Sequence, residues 1–252
     1  MAVVYHWPLT STFLGVRALG ANGISYGPGH SAADGIGTQW QIVDGWARAT
    51  LSDTDAVTNG GLRTELAGDN DPAPSERLYR WEYRLEGVWP YDSTAFVIMQ
   101  IHSDPSGSFV AENFWLTCDG RQVEAMLPTS QPGDVLTYSR IAAWPAVVGE
   151  VVRVALHVRW DKTTNRAGWL DLFVNGLLMA SVRNRATAYS HAEANGGPYY
   201  KVGLYMPSHA YSGWGVRSMS VRNVIVTDGL NGESWTSLLG GIPRQSLWAV
   251  GQ

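Results

Sequence analysis

The chain has 252 residues, of which 45% are hydrophobic and 16% charged. That is enough apolar material for a sizeable core and too little charge for a chain disordered over most of its length. The formal charge of −4 and pI of about 5.8 argue against a general binder of nucleic acid or of anionic membranes, which needs a basic surface to displace counterions. An acidic polymer stays open as a partner if positive charge is gathered in one cleft. The one cysteine, Cys118, excludes an internal disulfide and a multi-cysteine zinc site.

In chain order, the N-terminal run MAVVYHWPLTSTFLGVRALG places no Lys or Arg ahead of an apolar stretch, unlike a signal peptide. No apolar stretch is long enough to cross a bilayer. In Asn59–Leu66, read as extended, Leu62, Thr64 and Leu66 point to one face and Arg63 and Glu65 to the other. Leu78–Leu85 alternates as a strand, with Tyr79, Trp81, Tyr83 and Leu85 opposite Arg80, Glu82 and Arg84. Ala95–His102 follows, with Val97, Met99 and Ile101 assigned to the core and Gln100 and His102 to the opposite face. Cys118 closes the apolar run Phe114–Cys118 and reads as a small buried residue.

Val151–Trp160 buries Val152, Val154, Leu156, Val158 and Trp160 and leaves Arg153, His157 and Arg159 outward. Trp169–Val174 and Val221–Val226 are further strands, and Ala186–Ala194 is the best short-helix candidate. In Tyr199–Met206 the apolar side is Tyr200, Val202, Leu204 and Met206, and the other side carries Tyr199, Lys201 and Tyr205. Gly (28) and Pro (12) separate short strands throughout, with no repeat and no linker. The pattern predicts one all-β domain over 1–252, a β-sandwich of jelly-roll type whose curved sheet offers a concave groove for an extended polymer.

Arg63, Glu65, Gln100, His102, Lys201, Tyr199 and Tyr205 thus sit on the non-core faces of three strands. If the strands share a sheet, these faces make one polar floor. The inventory suits β-elimination on a uronate, which needs its carboxylate neutralised, a base for the C5 proton and an acid for the departing O4. Arg63 offers a charged fork and Gln100 an amide for the carboxylate. Neutral His102 can accept a proton near neutral pH. Tyr205 can protonate O4, or serve as both acid and base, given cationic neighbours such as Lys201 or Arg63.

These three segments resemble the signature blocks of the jelly-roll polysaccharide lyases. Arg63-Thr64-Glu65-Leu66 matches an R-[ST]-E-L block, Gln100-Ile101-His102 a Q-I-H block, and Tyr199-Tyr200-Lys201-Val202-Gly203-Leu204-Tyr205 a Y-[FY]-K-x-G-x-Y block. Family 7 alginate lyases carry all three in this order. From Trp160-Asp161 onward, WLDLFVNGLLMAS and GGPYYKVGLY look more like the heparin lyase I and glucuronan lyase group. The resemblance runs from Gly60 to Tyr205. It implies a concanavalin A-like fold, with Arg63 and Gln100 as carboxylate neutralisers, His102 as base or neutraliser, Tyr205 as acid or acid/base, and Lys201 at a subsite. Met206-Pro207 replaces the N-Q usual after the tyrosine in alginate lyases, which weakens an alginate assignment.

Glu65, Tyr199, Arg80, Arg84 and His157 are further candidates for binding the polymer. For His157 a solvated strand face is the simpler reading. Tyr138, Trp144, Trp169, Tyr211 and Trp214 are candidate sugar platforms, with core packing the competing reading for each. No histidine pair has metal-ligand spacing. Loop carboxylates such as Asp69 and Asp71 are the best candidates for a structural Ca²⁺, though no pattern supports one, and the chemistry requires no cofactor. The expected partner is an acidic polysaccharide, with no nucleic acid or membrane. The expected location is secreted or extracellular, a virion-borne depolymerase being one route. The competing readings are a glycoside hydrolase, for which no E-x-D-x-x-E pattern is present, and a non-catalytic lectin-like module. Oligomeric state stays open.

Overall fold

The computed structural model describes residues 3–7, 17–19, 40–55, 57, 61–70, 75–92, 94–103, 112–129, 137–161, 167–188, 198–207 and 213–229. In chain order the strands are β1 (Val3–Trp7), β2 (Arg17–Leu19), β3 (Trp40–Val43), β4 (Trp46–Ser52), β5 (Leu62–Asn70), β6 (Ser75–Glu86), β7 (Phe96–Ser103) and β8 (Glu112–Cys118). They continue with β9 (Gln122–Pro128), β10 (Tyr138–Pro145), β11 (Val152–Trp160), β12 (Gly168–Val174), β13 (Leu177–Arg185), β14 (Pro198–Met206) and β15 (Val216–Asp228). No helix occurs among the described residues. Of the helix candidate, Ala186–Ala188 is irregular and the remainder lies outside the described residues.

Two antiparallel sheets face each other. The first has the order β13-β12-β11-β6-β15-β4-β3, with β1 also on β15, and the second β10-β9-β8-β7-β14-β5-β2. This is the all-β sandwich expected of the alternation. Tight hairpins close where the sequence supplies residues that tolerate positive φ: Asp44-Gly45 (51° and 74°) and Asn175-Gly176 (49° and 80°), the torsions of type I′ turns.

Aromatic residues fill the space between the sheets. Tyr79 of the first sheet lies parallel to Tyr200 of the second at 6.0 Å, and Trp81 meets Tyr200 edge-on at 5.7 Å. Two of the polar tips that burial would otherwise strand are paired: Trp160 Nε1 donates to Tyr79 Oη and Trp144 Nε1 to Tyr83 Oη, both at 2.9 Å. Burial pushes the Tyr83 and Tyr200 hydroxyls above the ordinary phenol range. Trp144 and Trp214 belong to this core and are not sugar platforms, while Tyr211 lies outside the described residues. Cys118 is fully buried and its thiol is pushed up to about 12 by desolvation.

The outward face of the first sheet corrects three expectations. Arg80, Arg84 and His157, taken as candidates for holding the polymer, stand here on β6 and β11, across the sandwich from β5, β7 and β14. The reason is topological: alternation says that a residue faces away from the core and not which sheet carries it. Arg84 binds Glu86 two residues along the same strand (2.6 Å), and across the ladders Glu82 takes both Arg153 and Arg222, ion pairing that occupies these guanidinium groups. Trp169 is on this face too, edge-on to His157 at 4.5 Å.

His157 is not a solvated residue. It is buried, and its Nε2 lies 2.7 Å from Glu76 Oε1. Burial lowers its pKa below the ordinary 6.5, outweighing Glu76 and Asp171, which favour the charged form; Arg183 acts with burial. The folded protein therefore keeps His157 neutral, while the unfolded chain takes up its proton first as pH falls. His157 thus makes stability fall as pH drops below about 6.5. A series of denaturant midpoints at decreasing pH should decline more steeply for the wild type than for His157→Gln in that window. Parallel declines would rule this out.

Candidate active site

The second sheet assembles the polar floor. β14 lies between β7 and β5. Register pairs Tyr199 with His102, Lys201 with Gln100, Gly203 with Glu65 and Tyr205 with Arg63. Seven of the ten residues singled out from sequence (Arg63, Glu65, Gln100, His102, Tyr199, Lys201 and Tyr205) therefore share one face of three adjacent strands. Arg63, Glu65, Gln100, His102 and Lys201 are only 1–7% exposed. An outward strand face with charges this deeply buried is recessed, and not the solvated surface that such residues usually occupy. Tyr199 and Tyr205 are half-buried.

Glu65 organises the centre. Gln100 Nε2 donates to Glu65 Oε1 at 2.5 Å, and Arg63 Nη1 lies 3.5 Å from Glu65 Oε2. The first contact spans two strand spacings, about 10 Å between β5 and β7. The residue of β14 opposite Glu65 is Gly203, where β14 comes close to the backbone of β5. Gly203 has φ 140°, and a Cβ there would come within 2.2 Å of Thr64 O and 2.9 Å of Glu65 Cα. Arg63 also caps the Tyr205 ring, its Cζ 4.3 Å from the ring centroid, within cation–π range. The ring's edge rests where Gly61 also lacks a side chain: a Cβ at 61 would lie 2.4 Å from Tyr205 Cε2. At the other end His102 meets Tyr199 at 5.5 Å between ring centroids, and Lys201 Nζ stands 5.1 Å from the Tyr199 ring.

One strand assignment shifts by a bulge. Phe96 pairs with Cys118 and Val97 with Thr117, but Met99 pairs with Leu116. Ile98 is therefore an extra residue relative to β8, and the alternation reverses there. Phe96, Ile98, Met99 and Ile101 join the core cluster. Val97, expected in the core, instead stands beside Thr117 and Tyr205 on the site face. The β14–β7 ladder shifts at the same level, between Val202 and Tyr205. Bulges of this kind re-aim side chains next to active sites.

The sequence reading missed Trp115. It pairs with Gln100 across β7–β8 and stacks on Tyr138 at 4.4 Å, 28° between ring planes. Its signal was its parity with Thr117 in the alternating run ending at Cys118, obscured because the run was read as continuously apolar. Among the described residues no group of three or more His, Cys, Asp or Glu could hold a metal ion. The Asp71 candidate for Ca²⁺ and the side chain of Asp69 lie outside what is described.

No curated protein matches the chain in sequence. Among solved structures it is similar to an endo-β-1,4-glucuronan lyase from the fungus Trichoderma reesei, with 16% identity and a TM-score of 0.62 over 91% of this chain and 97% of that one. It is also similar to an alginate lyase from Pseudomonas aeruginosa (19%, TM-score 0.57, 76% and 86%). A third is an alginate lyase from Klebsiella pneumoniae (11%, TM-score 0.59, 88% and 97%). At these identities the likeness is one of fold. Residues 41–230 match the model of the family described as Polysaccharide lyase, and with most of its length so matched the chain belongs to the polysaccharide lyase family.

Proposed function

We propose that this polysaccharide lyase cleaves a uronate-containing polymer by β-elimination on the floor formed by β5, β7 and β14. The observation that carries the reading is the recessed cluster in which Glu65 ties Arg63 to Gln100, with Arg63 stacked on Tyr205. Arg63 brings a guanidinium fork and Gln100 a side-chain amide to the floor, groups of the kind that suit a substrate carboxylate. A carboxylate so held lets negative charge build up on it as the C5 proton leaves.

The step balances without an external reagent. A base takes H5 as a proton, the C5–H electron pair becomes the C4=C5 double bond, and the C4–O4 bond breaks. O4 departs with a proton from an acid. Tyr205 is the acid in this reading. His102 and Tyr205 mark the two ends of the floor: Tyr199, the partner of His102, is six residues from Tyr205 on β14, about 20 Å of strand at ~3.3 Å per residue. Glucuronate or mannuronate, with H5 and O4 on one side, would use Tyr205 for both transfers. Guluronate or iduronate would use His102 as base from the opposite side. Glu65, bound on both oxygens, is a positioning residue in this scheme. A glycoside hydrolase would need two working carboxylates flanking the bond, and the one at the centre of this floor is already committed. Glucuronan, alginate and bacterial capsular polymers are the substrate candidates, and their size argues for action outside the producing cell.

Incubation with each polymer should raise the ultraviolet absorbance of the 4,5-unsaturated uronate for one of them. Tyr205→Phe should lower that rate by about 10²–10⁴-fold, the usual contribution of a positioned acid–base group. A Phe variant that retains full activity would remove Tyr205 from the chemistry.

The two glycines give a separate expectation. Gly61→Ala, which would push on the Tyr205 ring, and Gly203→Ala, which would disturb the passage of Glu65 to Gln100, should reduce kcat by up to ~10²-fold, the scale of an ångström-level misplacement. Gly203→Ala should also cost about 1–3 kcal/mol in stability for a non-glycine residue at that φ. Steady-state kinetics beside denaturant unfolding would check both, and wild-type kcat in either variant would show that the close approach does not position the site.

A further inference from the structure

The register of the second sheet continues the site beyond the catalytic floor. Lys201 pairs with Gln100, Gln100 with Trp115, Trp115 with Met126, and Met126 with Arg140. This is one unbroken row of outward side chains across β14, β7, β8, β9 and β10. Cross-strand partners share a face, so Trp115, Met126 and Arg140 face the same side as Gln100 and Lys201. At ~4.8 Å per strand, the row extends about 19 Å from β14 to β10, farther than one sugar ring on the floor can reach.

The far end of the row has two complementary parts. Trp115 and Tyr138 stack at 4.4 Å and are both half-buried, so that each ring covers one face of the other and the pair has outer aromatic faces that a sugar ring could stack on. Such surfaces suit the apolar faces of pyranose rings. Beside it, the side chain of Arg140 is 56% exposed, and its Nη1 is held 2.7 Å from Glu124 Oε1, on the neighbouring strand of the same face. Glu124 fixes the guanidinium in place while the rest of its donor edge stays available, the geometry that favours bidentate recognition of a carboxylate.

We infer that Trp115, Tyr138 and Arg140 form a distal subsite that stacks a sugar of an acidic polysaccharide and pairs with its carboxylate, away from the scissile bond. The identification of the polymer as a polyuronate rests on the proposed lyase reading. The subsite itself rests on the row, the stacked pair and the exposed arginine. It does not touch the reacting atoms, so it acts on affinity for long chains and not on the elimination step.

The test is affinity electrophoresis of the full chain in gels containing alginate or polyglucuronate, alongside kinetics on polymer and on the shortest cleavable oligosaccharide. Arg140→Ala and Trp115→Ala should each weaken retention about tenfold and raise KM for polymer by a similar factor. kcat of Arg140→Ala on the short oligosaccharide should stay unchanged. Glu124→Gln, which keeps the arginine and removes a negative charge, should bind at least as well as the wild type. Arg140 is exposed, so its variant folds. If Trp115→Ala does not fold, Trp115→Phe should retain most of the retention and Arg140→Ala carries the test. Unsaturated product from the wild type, with retention unchanged in Arg140→Ala and in the folded Trp115 variant, would overturn the subsite and leave the lyase reading standing. Retention lost in Arg140→Ala with no product from any polyuronate would support the subsite and overturn the lyase reading. A wild type retarded by neither polymer would overturn the subsite outright.

Discussion

The site depends on a side chain that is missing. Glu65 on β5 reaches Gln100 on β7 at 2.5 Å with a whole strand, β14, between them. Two strands apart, side chains on a sheet do not ordinarily meet. The residue of β14 opposite Glu65 is Gly203, whose positive φ and close approach to Thr64 O and Glu65 Cα leave no place for a Cβ and let β14 lie tightly against the strand that carries Glu65. Everything on the floor is then arranged around one carboxylate. Gln100 is held from one side and Arg63 from the other, and Arg63 in turn lies on Tyr205. Gly61 makes the same provision at the Tyr205 end. A uronate entering this floor meets donors whose directions have already been set.

Such an arrangement is costly for folding. Glu65, Arg63 and Lys201 are charged and nearly without solvent contact, and burying charge is unfavourable unless it is paired and hydrogen-bonded. Pairing Arg63 with Glu65 offsets part of that cost. The remainder is carried by a core with no polar chemistry of its own, in which the indole N–H groups of Trp160 and Trp144 are satisfied by Tyr79 and Tyr83. The first sheet supplies the inner aromatic wall, and its outward ion pairs are far from the floor. The two sheets thus divide the work: one stabilises, and the other holds groups that would destabilise an unsupported strand pair.

Much of this was legible in the residues because period-2 alternation is a local property. β6, β11 and β14 each declare their buried side in their own sequence, and the three polar segments showed Arg63, Gln100 and Tyr205 pointing away from the core. What alternation cannot say is which sheet a strand joins. Arg80, Arg84 and His157 have the same parity as the site residues and ended on the opposite side of the sandwich, because β6 and β11 pair with each other and not with β7. Val97 was misassigned for a different reason. A bulge at Ile98 reverses the pleat within one strand, and a bulge is a relation between two strands that a single segment does not encode. Trp115 escaped because its partner across the ladder, Gln100, lies outside its own segment.

The same logic explains how a chain of net charge −4 can serve an acidic polymer. Long-range attraction is weak here, and arginines on the site sheet are matched with carboxylates, Arg63 with Glu65 and Arg140 with Glu124. A paired guanidinium is no longer a bare charge, but it remains a fork of five N–H donors, of which its partner engages only some. Pairing therefore exchanges non-directional attraction, which salt would screen, for fixed donors facing a recess or a stacked aromatic surface. Within the water-poor recess those directed hydrogen bonds gain strength, so on the floor the fixed directions of the donors around Glu65 count for more than the protein's overall charge.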